Sequence, residues 1–102
     1  MAALVDTNVL VYRFDLRDPR KQKIARDLLR EGIGLDTIRI SHQALIEFYA
    51  AVSRPLSGQG PLLEEHDARR ETEEMLSQFQ VLFPDETVIR TALRGIAAYR
   101  LS

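Results

Sequence analysis

The sequence predicts an α/β fold built on a parallel sheet, and three observations lead there. The chain opens on a continuous apolar run, Ala2-Ala3-Leu4-Val5, too short for a helix and apolar on both faces, as buried parallel strands are. Two more short apolar runs follow, Thr37–Ile40 with β-branched alternation and Val81–Phe83 closed by Pro84. Between and after them, apolar residues recur at helical spacing. Strands that alternate with helices imply right-handed crossovers and a sheet covered by helices.

After the first strand, Val9 to Phe14 reads as a short helix or turn, and Thr7 and Asn8 are residues that cap and turn. Asp18-Pro19 starts the next helix, with Asp18 as N-cap and Pro19 at the first helical position. That helix buries Ile24, Ala25, Leu28 and Leu29 and is expected to stop at Gly32 and Gly34. Ser41 caps a third helix with a stripe of Ala44, Leu45, Phe48, Tyr49 and Val52, ending near Arg54-Pro55. Ser57-Gly58-Gln59-Gly60-Pro61 is a loop. An acidic helix then runs from Leu62 to about Phe79 and buries Met75, Leu76 and Phe79. Asp85 and Glu86 open a last helix, expected to reach Tyr99 with Val88, Ile89, Ala92, Leu93, Ile96 and Ala97 facing inward. This order supplies three strands, thin for such a sheet, so a partner or further chain is expected to complete it.

Composition narrows the class. At 102 residues the chain is one domain, and 45% apolar with 28% charged residues fits a globular protein rather than a disordered one. The absence of cysteine excludes disulfides, thiolate zinc sites and a cysteine nucleophile. No segment approaches a membrane span or a signal peptide, so a cytoplasmic protein is expected, without membrane contact. Net charge is −1, yet the distribution is uneven. Seven basic residues between Arg13 and Arg30 face three acids, and six acids between Glu64 and Glu74 face Arg69 and Arg70. Two solvated helix faces of opposite sign explain this; the sharper reading is a basic lip for phosphates.

Two carboxylates carry the chemistry. Asp6 stands at the carboxyl end of the first strand, where open α/β sheets place ligands. Burying it unpartnered is costly, so a metal, a cation or several donors should meet it, unless it serves only as a cap or turn residue. Glu47 is the one acidic residue between Ser41 and Ser53, and Gln43, Ala50 and Ala51 on its own face are uncharged until Arg54. Asp6 and Glu47 together make an oxygen-ligand pair for a hard divalent cation. His42 and His66 lack a triad's partners and read as polar surface residues. Gly58 and Gly60 follow a helix and so form no phosphate loop.

The segments Leu4-Val5-Asp6-Thr7-Asn8-Val9-Leu10, Ile40 to Tyr49 with Glu47, and Ser53-Arg54-Pro55 resemble a PIN domain, and within that family the VapC-type toxins of toxin–antitoxin systems. The resemblance covers residues 1–102. It implies a Rossmann-like three-layer fold and a ribonuclease dependent on Mg²⁺ or Mn²⁺, with Asp6 and Glu47 as first and second carboxylates. Thr7 and Asn8 would hold the site's loop, and an RNA substrate, a cognate antitoxin and a homodimer are implied partners. Arg13 and Arg54 are candidates for substrate phosphate, Arg54 equally for capping its helix. The family's next aspartate would fall at about position 105. A PIN domain incomplete at its C-terminus, lacking its last strands, is therefore expected, and two carboxylates alone make a weak site. The alternative is a non-catalytic module of the same fold that dimerises or binds an antitoxin. A phosphotransferase using Asp6 as nucleophile fits less well, because Asn8 stands where a second aspartate is wanted and Lys21 and Lys23 lie early.

Overall fold

The computed structural model of the chain describes residues 3–83, 85–93 and 98–99, with backbone only at 87–88, 91–92 and 98–99. The elements are β1 (Ala3–Val5), α1 (Thr7–Tyr12), α2 (Pro19–Leu35), β2 (Ile38–Ser41), α3 (His42–Ser53), α4 (Glu65–Gln78), β3 (Gln80–Leu82), α5 (Glu86–Leu93) and β4 (Ala98–Tyr99). The strands form one sheet in the order β3-β2-β1-β4, all parallel. Ala3 pairs with Ile38 and Val5 with Ile40, while Leu4 faces Ala98 on the other side. The fold class is as predicted, with a correction in strand number. Residues 98–99, expected to close a helix, form a fourth strand beside β1. A run such as Ala97-Ala98-Tyr99 suits either state locally, and pairing with β1 decides it.

Chain direction across the sheet fixes where a ligand can sit. From β1 the chain steps to β2 and then β3; it then returns past β1 to β4. Right-handed crossovers put α1–α4 on one face and α5 on the other. The strand order therefore reverses between β1 and β4, and the carboxyl end of β1 borders that reversal point.

Local chemistry explains the helix starts. Asp18 accepts from the Lys21 N–H at 3.1 Å and Pro19 follows it. Ser41 Oγ accepts from the Ala44 N–H at 3.0 Å. Against expectation, α2 does not stop at Gly32. A Cβ at this position would fall 2.6–2.9 Å from Ile38 side-chain atoms, so the glycine permits close helix–strand contact. The helix ends three residues later, at Leu35, and its C-cap Asp36 has φ 53°, a left-handed conformation that aspartate tolerates better than most residues. Arg39 Nη1 donates to both the carbonyl and Oδ1 of Asp36 at 3.1 Å, bracing the turn.

The core lies between the sheet and the α1–α4 layer. Val5, Ile38 and Ile40 meet Val9, Leu10, Leu29, Phe48, Val52 and Met75, all buried. The Phe14 and Phe48 rings pack with centroids 5.6 Å apart. Tyr49 donates to Glu65 at 2.7 Å and the Leu63 N–H donates to the Val52 carbonyl at 2.9 Å, tying α3 to α4. That phenol–carboxylate bond pushes the Tyr49 pKa up and, with Arg69, holds Glu65 below its ordinary value. Leu4, expected to be buried, is only partly covered.

Several inward-facing expectations fail for angular reasons. Helix α4 begins at Glu65 rather than Leu62 and buries Ala68, Met75 and the flanking Phe79, which leaves Leu76, 100° around from Met75, 54% exposed. Ile24 lies at the edge of the Ala25–Leu29 face and is exposed. Ile89 and Leu93 are also exposed, contrary to expectation, whereas Ile96 and Ala97 and the side chains of Val88 and Ala92 lie outside the described residues. No helix among the described residues is long and apolar enough to cross a membrane.

Candidate active site

Because β1 and β2 are neighbours in register, the turns that leave their carboxyl ends lie side by side. Asp6 ends the first strand with φ −81° and ψ 168°, and its Oδ1 accepts from the Val9 N–H at 3.1 Å, which makes it the N-cap of α1. Thr7 is the first residue of α1. Its Oγ1–H donates to Glu47 Oε2 at 2.8 Å, across 40 residues of sequence. Gln43, one turn before Glu47 on α3, donates from Nε2 to Glu47 Oε1 at 2.9 Å. Glu47 is solvent-exposed but held from two sides.

Asp6, Thr7, Ser41, Gln43 and Glu47 line an open depression of about 260 Å³ floored by Leu4, Val5 and Ala44. Its polar donors are all oxygens of carboxylate and hydroxyl, plus one amide, a set that suits Mg²⁺ or Mn²⁺ and not a metal preferring sulfur or imidazole. Among the described residues neither carboxylate is in an ion pair, and no third acidic or imidazole group joins them. Mg²⁺ is often bound through one or two carboxylates and substrate phosphates, so the residues present fit such an ion. The N-terminal ends of α1 and α3 border the same depression, and their partial positive charge works against a cation. The carboxylates must outweigh it.

The other predicted residues lie elsewhere. Asn8 is exposed on α1, and no described hydrogen bond links its side chain to Glu47. Arg54 caps the far end of α3, seven residues and about 10 Å along the axis from Glu47, and is exposed. It shares Glu47's helix face, as its spacing suggests, but α3 carries it away from the strand ends. Arg13 follows α1 and turns from the depression. Its guanidinium lies 5.5 Å from the Phe14 ring centroid, in a separate cleft with Arg26 and Arg30. Burial lowers its pKa, with nearby Glu71 raising it, Arg26 lowering it and Glu74 raising it. His42 stacks against Phe83 at 5.6 Å on the opposite flank of α3, and His66 is an exposed neighbour of Asp67, as expected.

Sequence reasoning gave Gln43 no role, although its i,i+4 spacing from Glu47 is the signal that could have found it. Ser41 was read as a cap only, yet it also borders the depression.

No curated protein matches this chain. A family model described as the PIN domain matches residues 3–102.

Proposed function

The chain belongs to the PIN-domain family, and from that premise we propose that it is a Mg²⁺- or Mn²⁺-dependent ribonuclease, the toxin of a toxin–antitoxin pair. PIN domains are typically nucleases and commonly bind divalent metals. The observation that carries the reading is the convergence of Asp6, Thr7 and Glu47 at the carboxyl ends of β1 and β2, through the 2.8 Å Thr7–Glu47 bond.

In this reading Asp6 and Glu47 hold the cation. Thr7 and Gln43 fix both oxygens of Glu47, so its carboxylate keeps one orientation in the depression that Asp6 also lines. When bound, the ion would offset charge building on the phosphodiester and ease deprotonation of the attacking water. Asp6 keeps its capping bond on Oδ1, and a carboxylate has further lone pairs for a ligand. The reading places the chain in the cytoplasm, held by its antitoxin.

The test is cleavage of a structured RNA with Mn²⁺. Asp6→Asn and Glu47→Gln, each shown folded by circular dichroism, should lose the activity; equal cleavage by both variants and the native chain sinks the assignment.

A second reading, a non-catalytic module that pairs with itself or an antitoxin, draws on one observation. Ile46, Leu76 and Phe83, each more than half exposed, border an apolar cleft of about 270 Å³ beside the edge strand β3. Sedimentation of Ile46→Glu beside the native chain tests whether this cleft carries self-association, and the RNA cleavage assay separates the two readings.

A further inference from the structure

We propose that the cleft formed by Arg13, Arg26 and Arg30 is a phosphate-binding site that grips an RNA backbone outside the Asp6–Glu47 depression. It rests on the ribonuclease reading only for the identity of the nucleic acid.

The cleft lies between the end of α1 and the middle of α2. Its volume is about 490 Å³, with Phe14 and Ile33 as its apolar lining. Arg13 lines it, and the Nη1 of this side chain is buried without a hydrogen-bond partner among the described residues. Guanidinium N–H groups left unsatisfied under burial are costly, and an oxyanion ligand is the group that satisfies them best. Glu71 and Glu74 act on Arg13 through their fields, but no described hydrogen bond joins either to it.

Arg26 and Arg30 complete the site from one turn apart on α2, a spacing of about 6 Å between Cβ atoms. Arg26 makes no ion pair among the described residues. Arg30 donates to Asp27 Oδ1 at 3.0 Å, and that carboxylate is shared with Lys23 at 2.8 Å. With Lys23, which shares Asp27, the three guanidiniums make four cations against three acids, Asp27, Glu71 and Glu74, an excess of one positive charge around the cleft. Planar guanidiniums match phosphate oxygens in pairs, which ammonium groups do not.

The size and setting favour a chain of phosphates over a lone anion or an acidic peptide. From Arg20 to Arg30, α2 carries Arg20, Lys21, Lys23, Arg26 and Arg30 against Asp27 alone. Because α2 feeds the amino end of β2, its first turns, with Arg20, Lys21 and Lys23, lie toward the carboxyl-end side of the sheet where Asp6 stands, and Arg26 and Arg30 continue the basic run away from it. The backbone of Arg13 is only about 10 Å down α1 from Asp6. A bound strand of the ~4–16 nucleotides typical of single-strand sites spans both places.

The experiment is fluorescence anisotropy with a labelled RNA oligonucleotide in EDTA, so that no metal-dependent cleavage intervenes. The expected result is salt-sensitive binding that weakens about tenfold in the folded Arg26→Gln/Arg30→Gln variant, with the salt slope lowered by about 1 per lost contact. Unchanged affinity and slope in that variant overturn the proposal. So does RNA failing to bind while a labelled polyglutamate peptide binds through the same arginines, which would assign the cleft to a protein partner. Arginine-dependent RNA binding by a chain that never cleaves RNA would sink the ribonuclease reading and leave this site standing. Metal-dependent cleavage with binding indifferent to the arginines would do the reverse.

Discussion

Replacing Asp6 by asparagine and, separately, by alanine pulls apart its two roles. Its Oδ1 caps α1 through the Val9 N–H, and its charge belongs to the proposed metal site. Asparagine caps a helix about as well as aspartate, whereas alanine does not, at a cost of about 1 kcal/mol within a range of roughly 0.5–2. Helix α1 has only six residues, and two of them, Val9 and Leu10, are fully buried, so a loosened first turn disturbs the core directly. For a domain near this size, about 1 kcal/mol lowers the thermal midpoint by roughly 4–8 °C. In EDTA, Asp6→Ala should therefore melt several degrees below the native chain, and Asp6→Asn close to it. Mn²⁺ then reads the charge. At tenfold excess over Kd a ligand stabilises by about 1.4 kcal/mol, which raises the native midpoint by several degrees and neither variant's. The assay is thermal melting followed by circular dichroism, with and without Mn²⁺. If Mn²⁺ raises Asp6→Asn as much as the native chain, Asp6 is no ligand. If Asp6→Asn falls as far as Asp6→Ala in EDTA, the capping argument is wrong.

Two further outcomes test the scaffold. Gly32→Ala should destabilise by about 1 kcal/mol in urea unfolding, because a methyl 2.6 Å from Ile38 Cδ1 overpacks the helix–strand contact by more than the helix gains from alanine; a stabilised variant refutes this. The Asp15 carboxyl is held below its ordinary value of 3.8, chiefly by the Arg17 side chain donating to it from Nε and Nη2 at 2.8 Å. Its contribution to stability is thus present above that value and lost as pH falls through the lower folded one. The native chain should lose more stability than Asp15→Asn between neutral pH and about pH 3, and superimposable pH profiles of the urea midpoint would exclude the effect.

Legibility followed the range of the interactions. Asp18-Pro19 and Ser41 were readable because a cap bonds its own helix two or three residues on. Gly32 was not, since a stopping glycine and a close-packing glycine look alike until Ile38 is placed against it. Residues 98–99 were not, since their strand exists only through β1. Asp6 and Glu47 stood out by residue type, yet the contact that brings their surroundings together, Thr7 to Glu47, depends on β1 and β2 being neighbours. That Arg13 lies in a cleft apart from Asp6 and Glu47 was not readable, because spacing after a six-residue helix does not say which way a long side chain leaves it.

The sheet order also bears on the sequence of folding events. Asp6, Thr7, Gln43 and Glu47 all come from the first half of the chain, and closing the loop between Thr7 and Glu47 needs only β1, α1, α2, β2 and α3. Pairing of β4 with β1 joins residues more than ninety positions apart, and loop closure of that length is entropically the more demanding. The depression can therefore take shape while the second half of the chain is still being synthesised. Opening at the β4 edge leaves the Thr7–Glu47 bond in place, so the amide of Val9 should resist hydrogen exchange longer than those of the outer strand.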